Sequence, residues 1–177
     1  MIFTPTHLAG VYVLELEART DQRGGFARTF CTKEFREHGL TAEIAQSNMS
    51  YNPRKGTLRG MHYQLPPAAE AKLVRCTKGS IFVSIIDLRP ESATHLQHFS
   101  IQLDAAGRKS LYVPERFAHG YLTLEDDTEV HYNASSPYTP ELERGIRYDD
   151  PLFGIRWPVA VTSISEKDLS WPDYIQP

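Results

Sequence analysis

Cysteine is scarce in this sequence. Cys31 and Cys76 are the only two, and neither stands in a CxxC pair, so no disulfide framework is available and the reduced thiols of a cytosolic protein are expected. No window approaches the roughly 18 apolar residues that a membrane-crossing helix needs. The opening run MIFTPTHLAG has no basic region ahead of an apolar stretch, and a signal peptide is not expected. The chain therefore reads as cytoplasmic, with no membrane partner. Positive charge is not in excess either: 19 Lys and Arg stand against 22 Asp and Glu, for a net charge of −3. That leaves no global field to attract nucleic acid, and an anionic ligand must be held by a local group of cations. Internal repeats, heptads, low-complexity stretches and sustained helical periodicity are all missing.

What is present is a chain of 177 residues with 41% hydrophobic and 23% charged side chains, a globular composition that excludes disorder. One domain over residues 1–177 is the simplest organisation, and it is large enough to bury a core without disulfides or a structural metal. Glycine occurs 11 times and proline 12, which predicts many turns and few long helices.

Several short segments read as strands. Val11 to Leu16 is apolar and β-rich. Lys72 to Cys76 and Ile81 to Leu88 flank Thr77-Lys78-Gly79-Ser80, which reads as a hairpin; Phe99 to Leu103 and Leu111 to Val113 flank a loop around Ala106-Gly107; Tyr121 to Leu124 and Glu129 to Tyr132 flank Glu125-Asp126-Asp127-Thr128. Short strands joined by hairpin turns predict an antiparallel sandwich or barrel. Helical signal is limited to a short segment capped by Thr32 and ended by Gly39, and another around Ser165 to Asp168, stopped before Pro172. From Ser135 onward the chain lacks periodicity, yet Trp157 and Trp171 argue for ordered loop packed over the barrel rather than a linker.

Polar groups then interrupt segments that belong to a core. In GTLRGMHYQ (56–64), Arg59 and His62 stand among Leu58, Met61 and Tyr63. Strict alternation would put Arg59 with Met61 on one face and Leu58, Gly60 and His62 on the other; Gly60 is the residue that would supply a bulge or admit a ligand. Lys72 opens the apolar run KLVRC, and Pro114 and His119 bracket the entry to another strand. A lone strand histidine is more often a satisfied core group, and Arg and Lys often reach to a rim, but one interior can collect all of these segments.

Three chemistries compete for such an interior. A metal centre needs closely spaced histidines, whereas His62 is followed by Tyr63-Gln64 and Lys72 would repel a cation; no metal is expected. A nucleophile elbow GxSxG is missing, and neither cysteine has a local activating motif. Proton transfer at carbon needs a base of near-neutral pKa, an acid to orient it, a cation for the enolate oxygen and, for inversion, a donor on the opposite face. His62, Lys72 and one of several tyrosines meet these needs, and Arg23, Arg28 and Arg59 supply cations for a phosphate.

The runs DQRGGF (21–26), QSN (46–48), GTLRGMHYQ (56–64), KLVRCTKGSIF (72–82), DLRP (87–90), YVPERFAHGYLTL (112–124), YTPELERGIRYDDP (138–151), IRWP (155–158) and SEKD (165–168) resemble the dTDP-4-dehydrorhamnose 3,5-epimerase family over nearly the whole chain, LRGMHYQ with VPERFAHG being a specific pair. The resemblance implies an all-β, double-stranded β-helix (a cupin-like jelly roll) with short helices and an irregular C-terminal segment, working as a homodimer without cofactor or metal. The implied substrate is a nucleotide diphosphate sugar, a dTDP-4-keto-6-deoxyhexose, with protons exchanged at C3 and C5. By matching positions His62 is the base, Asp168 its orienting carboxylate, Tyr132 the donor on the other face and Lys72 the cation at the C4 oxygen. Arg23, Arg59 and His119 hold phosphate or sugar oxygens, Gln46 and Asn48 reach sugar or nucleotide, Glu143 and Lys167 line the same pocket, and Tyr138 stacks on the base. Phe26 and position 28 belong to the nucleotide side, some contacts crossing from the partner subunit.

Two departures accompany the resemblance. Arg28 replaces a usually acidic residue, which bears on base preference, and Val83 replaces a frequent Asp, which bears on whether one carbon or two are epimerised. His131, beside Tyr132, should point away from the site by alternation. A mono-epimerase, an enzyme of another nucleotide sugar, a metal-dependent jelly-roll enzyme and a non-catalytic sugar-nucleotide-binding module stand as alternatives.

Overall fold

The computed structural model describes residues 1–175. Among these, two antiparallel sheets carry the fold. The first has the order β1 (Ile2–Pro5), β2 (Tyr12–Glu15), β10 (Ser110–Val113), β7 (Lys72–Lys78), β12 (Thr128–Ala134), β5 (Gln46–Asn52). The second runs β13 (Glu143–Gly145), β6 (Leu58–Gln64), β11 (Phe117–Thr123), β8 (Ser80–Asp87), β9 (His98–Asp104). A separate hairpin pairs β3 (Arg19–Asp21) with β4 (Gly24–Phe26). Val74, Cys76, Leu111 and Val130 of the first sheet pack against Ile81, Val83, Ile85, Leu103 and Phe117 of the second in one buried cluster, so the two inner faces close on each other. This is the expected double-stranded β-helix.

The three short connections differ from the hairpin reading. β7 pairs with β10 and β12, while β8 pairs with β9 and β11; β9 and β10 also lie in different sheets, as do β11 and β12. Each turn is an arch that carries the chain from one sheet to the other. The arches lean on one another. Gly79 has φ +76°, and a Cβ on it would come within 2.6 Å of Thr128 Oγ1. Its carbonyl accepts from Ala105 N at 3.1 Å, and the Ser80 carbonyl accepts from Leu124 N at 2.8 Å. A hairpin and an arch share the same local signature, a polar turn between two alternating segments, and only packing at the far end separates them.

Both outer faces are covered in part. Helix α1 (Thr32–Glu37), whose N-cap is Cys31 rather than Thr32, buries Phe35 against Leu14, Leu73 and Tyr112 on the first sheet. Burial of one such phenylalanine is worth about 1.5–3 kcal/mol. On the second sheet, Met61, Ile86 and Ala118, with Ile146 just beyond β13, are covered by Phe153, Ile155, Trp157 and Tyr174, so the aperiodic C-terminal third is an ordered strap. That strap then meets the start of β6, where Leu58 N donates to the Ser163 carbonyl at 2.8 Å, and delivers α2 (Glu166–Leu169) to one end of the sandwich. No described helix is long and apolar enough to cross a membrane.

Candidate active site

β6 breaks its own alternation. His119 of β11 stands opposite His62 and Tyr121 opposite Arg59, so two residues, Gly60 and Met61, face the single Gly120. Gly60 has φ +126°, and a Cβ there would lie 2.5 Å from Gly120 Cα; only glycine fits this bulge. The bulge turns Arg59 and His62 toward one interior and sends Met61 into the cluster beneath the C-terminal strap. Strict alternation, which pairs Arg59 with Met61, is corrected here by that extra residue.

His62 Nε2 lies 2.6 Å from Asp168 Oδ1, with the imidazole 29% and the carboxylate 5% exposed. Ser165 caps α2 by accepting from Asp168 N at 3.1 Å, and Gly60 N donates to Asp168 Oδ2 at 3.3 Å. Burial by itself would push the Asp168 carboxyl up, but the bond and charge of His62, with the Gly60 and Ser165 contacts, bring it below its ordinary value. An ionised carboxylate thus fixes the ring through Nε2 and leaves Nδ1 for other work.

Tyr132 and Lys72 come from the opposite sheet. β12 lies between β7 and β5, with Ala134 opposite Lys72 and Tyr132 opposite Asn48, so their inward side chains share a wall. Lys72 Nζ is 2.9 Å from Glu70 Oε1, and each side chain is 11% exposed. Burial raises the Tyr132 phenol above its usual pKa, Glu70 and Tyr121 add to the rise, and Arg59 opposes it; the phenol is protonated at neutral pH.

Two joined cavities of about 360 and 310 Å3 share His62, Lys72 and Tyr132 on their walls. The first is lined also by Gln46, Asn48, Tyr138 and Glu143. Here Tyr138 N donates to Gln46 Oε1 at 2.7 Å, and the Tyr138 hydroxyl donates to Glu143 Oε2 at 2.7 Å, the same oxygen that pairs with Lys167. The buried Gln64 holds this loop by accepting from Thr139 N at 2.6 Å. The Tyr138 ring is 52% exposed, open for stacking.

The second cavity is lined by Arg59, His119, Ser50 and Tyr121. Arg59 Nε donates to Asn52 Oδ1 at 2.8 Å, and Ser50 Oγ lies 2.6 Å from the Tyr121 hydroxyl. His119 Nε2 is buried without a hydrogen-bond partner among the described residues. Burial, then the Lys72 and His62 charges, push its pKa well below the usual histidine value, so the ring is neutral.

Of the residues singled out from the sequence, His62, Asp168, Lys72, Tyr132, Gln46, Asn48, Arg59, His119, Tyr138, Glu143 and Lys167 converge on these cavities. Arg23, Phe26 and Arg28 do not. Arg23 is 90% exposed and pairs with Asp21, Phe26 is 75% exposed, and Arg28 pairs with Glu34 at 3.1 Å beside Met1, Glu17 and Phe26. Val83 is fully buried opposite Tyr121. His131 points away from the cavities, its Nε2 2.9 Å from Ser47 Oγ. Among the described residues no group of three or more His, Cys, Asp or Glu is disposed around a metal position. Cys31 and Cys76 are unpaired, and burial raises the Cys76 thiol to about 11.

Sequence reasoning missed Glu70, Ser50, Asn52 and Tyr121. One signal was available: in QSNMSYN the polar residues Gln46, Asn48, Ser50 and Asn52 recur with period two, which puts a polar stripe on an inward face and marks a wet interior.

A family model described as dTDP-4-dehydrorhamnose 3,5-epimerase matches residues 5–176. The chain is 40% identical over 173 residues to a dTDP-4-dehydrorhamnose 3,5-epimerase of Sinorhizobium fredii, covering 97% of this chain and 89% of that protein. Its structure is similar to a dTDP-4-dehydrorhamnose 3,5-epimerase of Bacillus anthracis with TDP and pyrophosphate bound, with TM-score 0.94, 34% identity and coverage of 98% and 99%. It is also similar to a 3,5-epimerase of Legionella pneumophila in complex with dTDP-4-keto-L-rhamnose, with TM-score 0.90, 31% identity and coverage of 97% and 92%.

Proposed function

The chain belongs to the dTDP-4-dehydrorhamnose 3,5-epimerase family, and from that membership we infer that it epimerises a dTDP-4-keto-6-deoxyhexose at C3 and C5. The observation that carries the reading is the His62–Asp168 pair at 2.6 Å on a cavity wall shared with Lys72 and Tyr132.

The chemistry needs no organic cofactor, because the C4 ketone already acidifies the hydrogens on both neighbouring carbons. His62, oriented by Asp168, removes one of these protons. The C4 oxygen then carries negative charge, which the Lys72 ammonium meets in a partly closed cavity. The protonated Tyr132 phenol returns a proton to the other face, which inverts the carbon. A positioned base of this kind contributes about 10²–10⁴-fold. Arg59 and neutral His119 take phosphate or sugar oxygens, Gln46 and Asn48 the sugar or nucleotide, and Tyr138 the base, with Glu143 and Lys167 closing the same side.

The working unit is a homodimer in the cytoplasm. Supporting this, Phe26, Met49 and Tyr51 are 75%, 66% and 53% exposed, and Met49 and Tyr51 stand beside His131 and Glu129 on the outer face of the first sheet. On that face Arg75 Nε and His131 Nδ1 are buried without partners among the described residues. Arg23, Phe26 and Arg28 then reach a site through the partner subunit. The unpaired cysteines suit a reducing compartment.

Turnover of dTDP-4-keto-6-deoxyglucose by the wild type, and its loss in a folded His62→Asn variant, is the expected result. Normal turnover in that variant would remove His62 from the mechanism.

A further inference from the structure

Glu70 is a charged residue in the cavity for which the proton-transfer scheme has no task. It precedes β7 on a segment held from both sides: Gln64 Nε2 donates to the Ala68 carbonyl at 3.0 Å, Ala71 N donates to Ser135 Oγ at 2.8 Å, and Ser135 N donates to the Ala71 carbonyl at 3.0 Å. Its carboxylate therefore projects from fixed backbone onto the cavity wall beside His62, Lys72 and Tyr132.

We propose that Glu70 is a positioning residue, acting through Lys72: its carboxylate holds the ammonium at the place where the C4 oxygen gains negative charge. This rests on the epimerase reading above. A carboxylate next to such a cation weakens the field offered to an enolate, so its presence requires a compensating gain. A lysine side chain has considerable rotamer entropy to lose when it is ordered, and a bond to a fixed acceptor removes that freedom before substrate arrives. The ammonium has three N–H donors. Glu70 takes one at 2.9 Å and leaves two for substrate. Both partners are mostly buried, where an unmatched charge is costly, so the pair holds together in the empty site.

The same carboxylate faces Tyr132. His62, Lys72 and neutral His119 line the same cavities as that phenol, and of the groups that shift it, Glu70, Tyr121, Arg59 and Glu143, Glu70 contributes most after burial to keeping it protonated. Removing the charge of Glu70 therefore lowers the pH at which the donor is lost, an effect that a purely structural role would not produce.

The test compares wild type, Glu70→Ala and Glu70→Gln with dTDP-4-keto-6-deoxyglucose across pH, after circular dichroism and melting have established folding. Glu70→Ala should lower kcat about tenfold or more, since a displacement near 1 Å can cost 10²-fold, with a smaller change in KM. Glu70→Gln, whose amide oxygen still accepts from Lys72, should recover most of kcat. In both, the alkaline limb of the kcat profile should move to lower pH, and the near-isosteric Gln variant supplies that readout if the Ala variant does not fold. An unmoved alkaline limb, or wild-type kcat in folded Glu70→Ala, overturns the inference while leaving the epimerase reading intact. A wild type that does not turn over this substrate overturns both.

Discussion

The Trp171 indole rests on Gly145 so closely that a Cβ at that position would lie 2.3 Å from its ring carbons. Trp171 is also edge-on to His62, with ring centroids 6.4 Å apart, and it follows α2 by two residues. The bare face of Gly145 on β13 is thus the seat for the segment that carries Asp168 to His62.

Gly145→Ala should displace Trp171 and, through it, α2. On the proposed mechanism kcat falls about 10–10²-fold in a protein that still folds, and Trp171 fluorescence shifts toward that of an exposed indole. The double variant Gly145→Ala/Trp171→Ala should be little worse than Trp171→Ala alone, because the clash is gone. Additive losses would show that the two positions act separately.

Neutral, buried His119 makes stability pH-dependent in a defined direction. Its folded pKa lies well below the usual 6.5, so as pH falls below that value the unfolded chain takes up a proton that the folded chain refuses. Stability should therefore decline as pH drops from about 6.5. Burial lowers His98 and His131 in the same sense, and His119→Asn should flatten the decline without abolishing it. Urea unfolding between pH 5 and 8 measures this, and an unchanged slope in His119→Asn would assign the decline to the other two.

The exposed β3–β4 hairpin gives the proposed dimer a functional test. Arg23→Ala and His62→Asn homodimers should each be impaired, Arg23→Ala chiefly in KM. Mixed and reassembled, they should recover about a quarter of the wild-type sites, since half the dimers are hybrid and one of their two sites is intact. No recovery from a mixture shown by mass to contain hybrids would place Arg23 outside the partner's site.

Much of the site was legible because its chemistry demands particular side chains in unlikely places: Arg59 and His62 within an apolar strand and Lys72 at the head of another. Asp168 and the choice of Tyr132 among the tyrosines come from resemblance, since no spacing links residue 62 to residue 168. The arches read as hairpins in the sequence because period-two patterning reports which face of a strand is buried and is silent on which strand lies beside it. The bulge at Gly60 is legible only as an option, because glycine permits it and the opposing Gly120, against which it packs, lies sixty positions away. Glu70 is not legible in the sequence because an acid two residues from a lysine has the pattern of a surface pair, whereas both are mostly buried in the structure.

The most direct measurement is incubation of the protein with dTDP-4-keto-6-deoxyglucose in D₂O, followed by NMR of the sugar. Deuterium at both C3 and C5, lost in His62→Asn, is the result expected. Deuterium at one carbon would contradict the double epimerisation and make Val83, buried opposite Tyr121, the first position to change to Asp. No deuterium from folded, dimeric protein would contradict the proposed activity on this substrate.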